Sequence, residues 1–439
     1  MPNAPLPSKP APLPGPKPAT FASIDSPTIR HGGRDVLSLA LMDARNHTLH
    51  LLGQLESAVG SADAGGVVVP MKPELNPPLW TLGHIGWFQE WWIVRNLQCH
   101  RGAGADPAAT RLASIEPRAD HWWNPAAAPH DSRWTLDLPD PASTRGYLLA
   151  TLEATLDLLE KTPDEDDALY FYRLALCHED TRGEELIVLA QTLGLPLQLV
   201  MPQSQAPRDP MLVPAVRWRM GIGGLEPNHG FAFDNEQPMH EVSVPEFEID
   251  AQPVTWSQFV EFVDDGGYDR AELWHPLGWQ WLQDKAADAS QDGGRRGPRY
   301  VDQIGVASGA VMQTRFGKPM RMLGAQPATH VTWWEADAWA RWAGRRLPAE
   351  VEWEVAAHTA LRRGWRWGDV WEWTGTTFRG YPGFEAGPWQ DYSQPFFGSH
   401  KVLRGASFAT RARMKHPKFR NFCLPERDGL FCGFRSCAL

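Results

Sequence analysis

Cysteine is scarce. Five in 439 residues give no disulfide framework and leave one unpaired, which excludes a disulfide-stapled small fold and predicts a reducing, cytoplasmic setting. Long apolar runs are missing too. No stretch approaches eighteen consecutive apolar residues and the N-terminus has no apolar segment of the secretory kind, so neither membrane insertion nor export is expected. Nor is there a surplus of positive charge: a net charge of −10 argues against a chain that coats phosphate backbones, and no nucleic-acid partner is expected. Tyrosine is sparse at 7 against 22 tryptophans, so the aromatic surface is mostly indole. What remains is 43% hydrophobic and 21% charged, ordinary for a folded protein, in a length too great for one compact core. Two domains are expected.

The first residues are crowded with proline, which denies them helix and sheet ladders, and residues 1–34 read as a disordered tail. From Asp35, Leu37, Leu41, Ala44, Thr48, Leu52 and Leu55 recur at helical spacing. Three more helices are predicted: a Trp-rich one from Leu79 to Leu97 after Pro77-Pro78, one from Ser143 to Lys161, and one from Glu165 to Leu193, closed by Gly194 and Pro196. Four helices of this length over 35–200 read as a bundle. A linker is predicted over 201–212, centred on PQSQAPRDP, and a second domain over 213–439. There His240 to Asp250 alternates like a strand, and Thr255 with Gln258 and Thr332 with Glu335 have capping-box spacing. The rest is turns and short strands, so the fold class is α+β.

Three groups of residues carry chemistry. His84 sits in LGHIGWFQE among large apolar side chains, either a core histidine or a metal ligand. In CHEDTRGEE, His178, Arg182 and Glu185 share one helix face, either as ligands aimed into a bundle or as a solvated charged turn. Between Arg404 and Arg435, cationic residues alternate with aromatics. That pattern suits nucleic-acid stacking, a pocket for anions and quaternary ammonium groups, or an exposed basic strand edge.

The strings VTWWEADAWARWAGRRLPAEVEWEVAA, GDVWEWTGTTF, LRGASFATRAR and the terminal GFRSCA resemble the formylglycine-generating-enzyme (FGE-sulfatase, C-type-lectin-like) domain. LGHIGWFQE and HEDTRGE stand where DinB-like bundles have their metal-binding histidines. In this order the pairing resembles the non-heme iron sulfoxide synthases of ergothioneine biosynthesis. The resemblance implies an Fe(II) enzyme that uses O₂ to join a chalcogen donor to hercynine, the trimethylated betaine of histidine. It implies His84 and His178 as ligands, with Arg182 in the place of a third histidine. A guanidinium has no lone pair to offer. The third position is therefore taken by water or a carboxylate such as Glu185, or by His47 or His50, or the metal site is lost.

By the same resemblance Tyr392 is a proton donor, Asn421 and Phe422 hold the betaine, and Arg427 holds the donor's carboxylate. Cys423 stands where an aspartate would meet a donor's ammonium, which points to the selenoneine-forming branch and a selenosugar donor. Cysteine or γ-glutamylcysteine as donor is the neighbouring reading, and Arg182 is a candidate substrate contact. A metal-free hercynine-binding protein is a third reading. A true formylglycine-generating enzyme is a fourth, weakened because Arg404 to Phe422, where its copper-binding cysteines would fall, contains no cysteine.

Overall fold

The computed structural model describes residues 22–59, 67–204, 206–223, 230–287, 294–305 and 310–439. Its first half is helical: α1 (Arg34–Val59), α2 (Pro78–Gln89), a short α3 (Ala119–Trp123), α4 (Pro141–Leu159) and α5 (Asp166–Leu193). Helix α1 packs along α5, and α2 along α4. The leucine stripe of α1 is the reason: Leu37, Leu41, Leu52 and Leu55 are all buried. Helix α4 begins two residues before Ser143 because the Asp140 side chain accepts from the Ser143 amide at 2.8 Å and Pro141 fits the first turn. Helix α5 ends as expected at Gly194, which holds φ +67°.

Two expectations need correction. The second helix is not one regular helix to Leu97: after Gln89 the chain takes a π turn over Glu90–Val94 and leaves at Arg95. Glu90 is buried there and accepts from the Tyr147 hydroxyl (2.6 Å), Ser114 Oγ (2.7 Å) and the Ile115 amide (2.6 Å), bonds that hold the turn in place. The stretch before α1 is also structured where it is described. Pro27–His31 forms a 3₁₀ turn, Ile29 is buried, and Arg30 makes a bidentate pair with Glu236 at 2.7 and 2.9 Å. Residues 1–21 lie outside the described residues.

The second half is built from short strands. A central sheet orders Asn421–Cys423, Lys401–Gly405, Trp371–Thr377 and Cys432–Phe434, the last pairing parallel and the others antiparallel. A second sheet joins Met211–Val213, Phe247–Ile249, Cys437–Ala438 and Arg345–Arg346. The strand expected over His240–Asp250 is two, His240–Val244 and Phe247–Ile249, separated at Pro245, which has no amide to donate. The Thr332 capping box forms in full, the Thr332 amide donating to Glu335 Oε2 at 2.8 Å and the Glu335 amide to Thr332 Oγ1 at 3.1 Å, whereas at Thr255 only the return half forms, its amide donating to Gln258 Oε1 at 2.9 Å. With so little ladder, buried ion pairs fix the loops. Arg435 pairs with Glu372, Arg404 with Glu354, and Arg420 with Glu350. Among the described residues no helix is long and apolar enough to cross a membrane.

Candidate active site between the helical and sheet regions

A cavity of about 430 Å³ lies between α5 and the sheet region. One wall is α5, with His178, Arg182, Glu184 and Glu185; the facing wall carries Trp389, Tyr392, Asn421, Phe422 and Arg427. The two halves are clasped beside it. Asp180 of α5 accepts from Arg413 at 2.6 and 3.0 Å, with both side chains buried. Glu184 accepts from Trp371 Nε1 (2.8 Å), Ser407 Oγ (2.6 Å) and Thr410 Oγ1 (2.8 Å), all from the sheet region.

His84 lies directly behind this wall, and its place depends on Gly83. A Cβ at Gly83 would stand 1.9 Å from the Trp123 ring, so glycine is what lets Trp123 come so close. The Trp123 carbonyl then meets His84 Nδ1 at 3.0 Å. That bond puts the imidazole proton on Nδ1 and leaves the Nε2 lone pair free. His84 stacks on Trp80 at 4.8 Å, His178 stacks on Phe88 at 3.8 Å, and the two Nε2 atoms face each other at 3.3 Å. Burial pushes His84 down to about 3 and His178 well below the usual imidazole range, with the Arg182 cation adding to both effects. Both rings are neutral at pH 7.

Arg182 Nε donates to His178 Nε2 at 3.2 Å, while its Nη1 donates to both Glu185 oxygens at 2.6 and 2.7 Å. Opposite, Tyr392 stacks between Trp389 (4.6 Å) and Phe233 (4.8 Å), and the edge of Trp389 meets His178 at 5.6 Å. Burial first, then the nearby Glu236 and Asp234 carboxylates, raise the Tyr392 hydroxyl well above its usual range. It keeps its proton at every working pH. Phe422 stacks on Phe378 at 4.1 Å and lies against Phe396, an aromatic surface suited to a quaternary ammonium.

Comparison with known proteins bears directly on this arrangement. The DinB superfamily model matches residues 40–182, and the sulfatase-modifying factor enzyme 1-like domain matches 197–369 and 366–438. The hercynine oxygenase of Mycolicibacterium smegmatis is 30% identical over 92% of this chain and 98% of its own length. That of Mycolicibacterium thermoresistibile is 32% identical over 92% and 94%, and that of Mycobacterium tuberculosis 31% over 91% and 97%. The chain belongs to the hercynine oxygenase family. It is an oxidoreductase by that membership.

Within this family frame, the donor set decides whether iron suits the site. His178 Nε2 accepts from Arg182, so its own proton sits on Nδ1, a buried atom with no hydrogen-bond partner. His84 Nε2 thus keeps a free lone pair while the one lone pair of His178 Nε2, 3.3 Å away, is held by the Arg182 N–H, and once that N–H withdraws the two nitrogens are placed to share a divalent cation. The two histidines fit a metal; a third protein ligand is missing. Among the described residues no three His, Cys, Asp or Glu side chains gather in ligating range. Glu185 is taken up by Arg182, His50 bonds Gln54 at 2.8 Å on the exposed side of α1, and His47 sits beside Arg411 and Asp43 away from the cavity.

Cys423 does not line the cavity; it is half-buried against the core, and desolvation there raises its thiol to about 11. Arg133 was not foreseen. Its guanidinium lies 3.7 Å over the Trp80 ring that also carries His84, and it is lowered to about 10 by burial and by Arg182. No local motif marks it, because its partners are distant in sequence. Trp389 and Glu184 were equally unassigned, although each stands within three residues of a residue that sequence reasoning singled out.

Proposed function

We propose that this chain is an iron- and O₂-dependent hercynine oxygenase that joins selenium from a selenosugar to the hercynine imidazole and leaves it as a selenoxide. The observation that carries the reading is the approach of His84 Nε2 and His178 Nε2 to 3.3 Å beside an aromatic cavity, in a chain similar to hercynine oxygenases along nearly its whole length. Iron, held by His84 and His178, would supply the activation of O₂. The balance is simple: the imidazole C–H and the Se–H hydrogens leave with one oxygen atom as water, and the other oxygen stays on selenium.

The protein's own groups then divide the work. Phe422, Phe396 and Tyr392 form the wall for the trimethylammonium, and Asn421 stands beside them for the carboxylate. Tyr392 Oη, held protonated, is the proton donor to a reduced oxygen species. Arg427 and Arg182 offer guanidinium forks to the donor, and Cys423 contributes no negative charge for a donor ammonium. Cysteine or γ-glutamylcysteine is the competing donor; the cavity's Glu74 and Asp391 are the carboxylates that would favour it.

Anaerobic Fe(II) titration with and without hercynine tests the site, and mass analysis of aerobic product tests the donor. About one iron per chain, lost in His84→Ala together with turnover, is expected, with selenium in the product from the selenosugar. Turnover that survives iron loss refutes the metal reading. A sulfoxide formed faster from cysteine or γ-glutamylcysteine refutes the selenium reading alone. Tyr392→Phe should leave hercynine affinity within about twofold while slowing or redirecting oxidation; unchanged turnover and products would remove Tyr392 from the mechanism.

A further inference from the structure

We propose that Arg182 makes metal binding at the His84–His178 pair and anion binding in the cavity depend on each other. The inference rests on the reading of His84 and His178 as ligands. Its basis is a competition for one lone pair. Arg182 Nε–H and a metal cannot both use His178 Nε2, so the guanidinium must leave His178 before that nitrogen can ligate.

Charge then decides what happens next. Two neutral imidazoles leave a divalent ion with its full charge, and Arg182 and Arg133 add two more positive charges nearby. The carboxylate that acts on both guanidinium groups is Glu185, from a side chain 41% exposed and already engaged with Arg182. Cations gathered beside a buried wall without counter-charge repel one another strongly. An anion entering the cavity relieves this twice: it offers the metal a donor that the protein lacks, and it gives the displaced guanidinium a partner. A histidine at position 182 would supply the donor without the extra charge. The chain has instead a residue that recruits one.

By linkage, if the anion tightens metal binding by some factor, metal tightens anion binding by the same factor. The anion is a carboxylate or a chalcogenolate, and the experiment separates them. Co(II) is titrated into the anaerobic full-length protein and read by its ligand-field absorption. The arms are no addition, acetate, and 2-mercaptoethanol, whose thiolate adds a near-ultraviolet charge-transfer band on binding cobalt. The wild type should show at least a tenfold gain in cobalt affinity in one anion arm, the band identifying a thiolate. Arg182→Gln should lose most of that gain, and Arg182→His should bind cobalt tightly with no anion. Cobalt bound equally well in all three arms overturns this inference and leaves the His84–His178 site standing. Full linkage retained in Arg182→Gln overturns the role of Arg182. No cobalt in any arm overturns both readings together.

Discussion

Replacing Glu184 with alanine removes the acceptor on which three donors of the sheet region converge: Trp371 Nε1, Ser407 Oγ and Thr410 Oγ1. The two hydroxyls can turn toward each other, since they already stand 3.3 Å apart. The indole N–H cannot turn. Stranding it costs about 1–3 kcal/mol, and losing two bonds to a carboxylate adds about 1.5 kcal/mol each before the hydroxyls re-pair, so the total expected is about 3–5 kcal/mol. Glutamine keeps one acceptor oxygen for Trp371 and Ser407, and its amide can donate to Thr410 Oγ1. Burial already raises the Glu184 carboxyl, so losing its charge costs little, and Glu184→Gln should cost about 1–2 kcal/mol. Urea unfolding of the wild type and the two variants reads both numbers. Because α5 carries His178 as well, the alanine variant should also bind hercynine and metal more weakly. An alanine variant within about 1 kcal/mol of wild type, or a glutamine variant as damaged as alanine, would refute the reasoning that the clasp is built on stranded donors.

Three other outcomes follow from the same contacts. Arg413→Met strands Asp180 in a buried interface and should cost about 3–5 kcal/mol, whereas adding Asp180→Leu should recover much of it; a double mutant as unstable as the single would count against the pair. Gly83→Ala forces Trp123 away and should cost about 1–3 kcal/mol, and by pulling the Trp123 carbonyl off His84 it should weaken metal binding at least about tenfold; unchanged metal affinity would show that carbonyl to be idle. His330 is held at about 3 by burial, against about 6.5 when unfolded, so the unfolded chain binds its proton more tightly. The stability due to its neutral form is fully present above pH 6.5 and is lost as pH falls toward 3, by up to about 1.4 kcal/mol per unit. His330→Asn, chosen because His330 has φ +62°, should flatten urea-derived stability between pH 6 and 4; an unchanged slope would assign acid unfolding elsewhere.

The helices were legible because each buries an apolar stripe with its own period and ends on its own punctuation, as Asp140 and Gly194 illustrate. The π turn at Glu90 was not, because the groups that satisfy its carboxylate come from residues 114, 115 and 147. In the sheet region, strands of two to seven residues leave little periodic signal, and buried Arg–Glu pairs between distant segments do much of the positioning. His84 and His178 were legible as local motifs, although only folding brings them to 3.3 Å across 94 residues. Arg133 and the partners of Glu184 were hidden for the same reason: nothing within a few residues of either indicates what it meets.

Helix α5 ties the ancestry of the two halves together. It presents a histidine to the cavity while Asp180 and Glu184 satisfy donors that belong to the other half. Neither half is then freely exchangeable with the corresponding half of a relative. A chimaera that imports a different helical half must also import carboxylates spaced to meet Arg413, Trp371, Ser407 and Thr410, or it leaves buried cations and donors without partners. Drift in one half is therefore constrained by a handful of contacts in the other, and substitutions on either side of this seam should be tolerated mainly in compensating pairs.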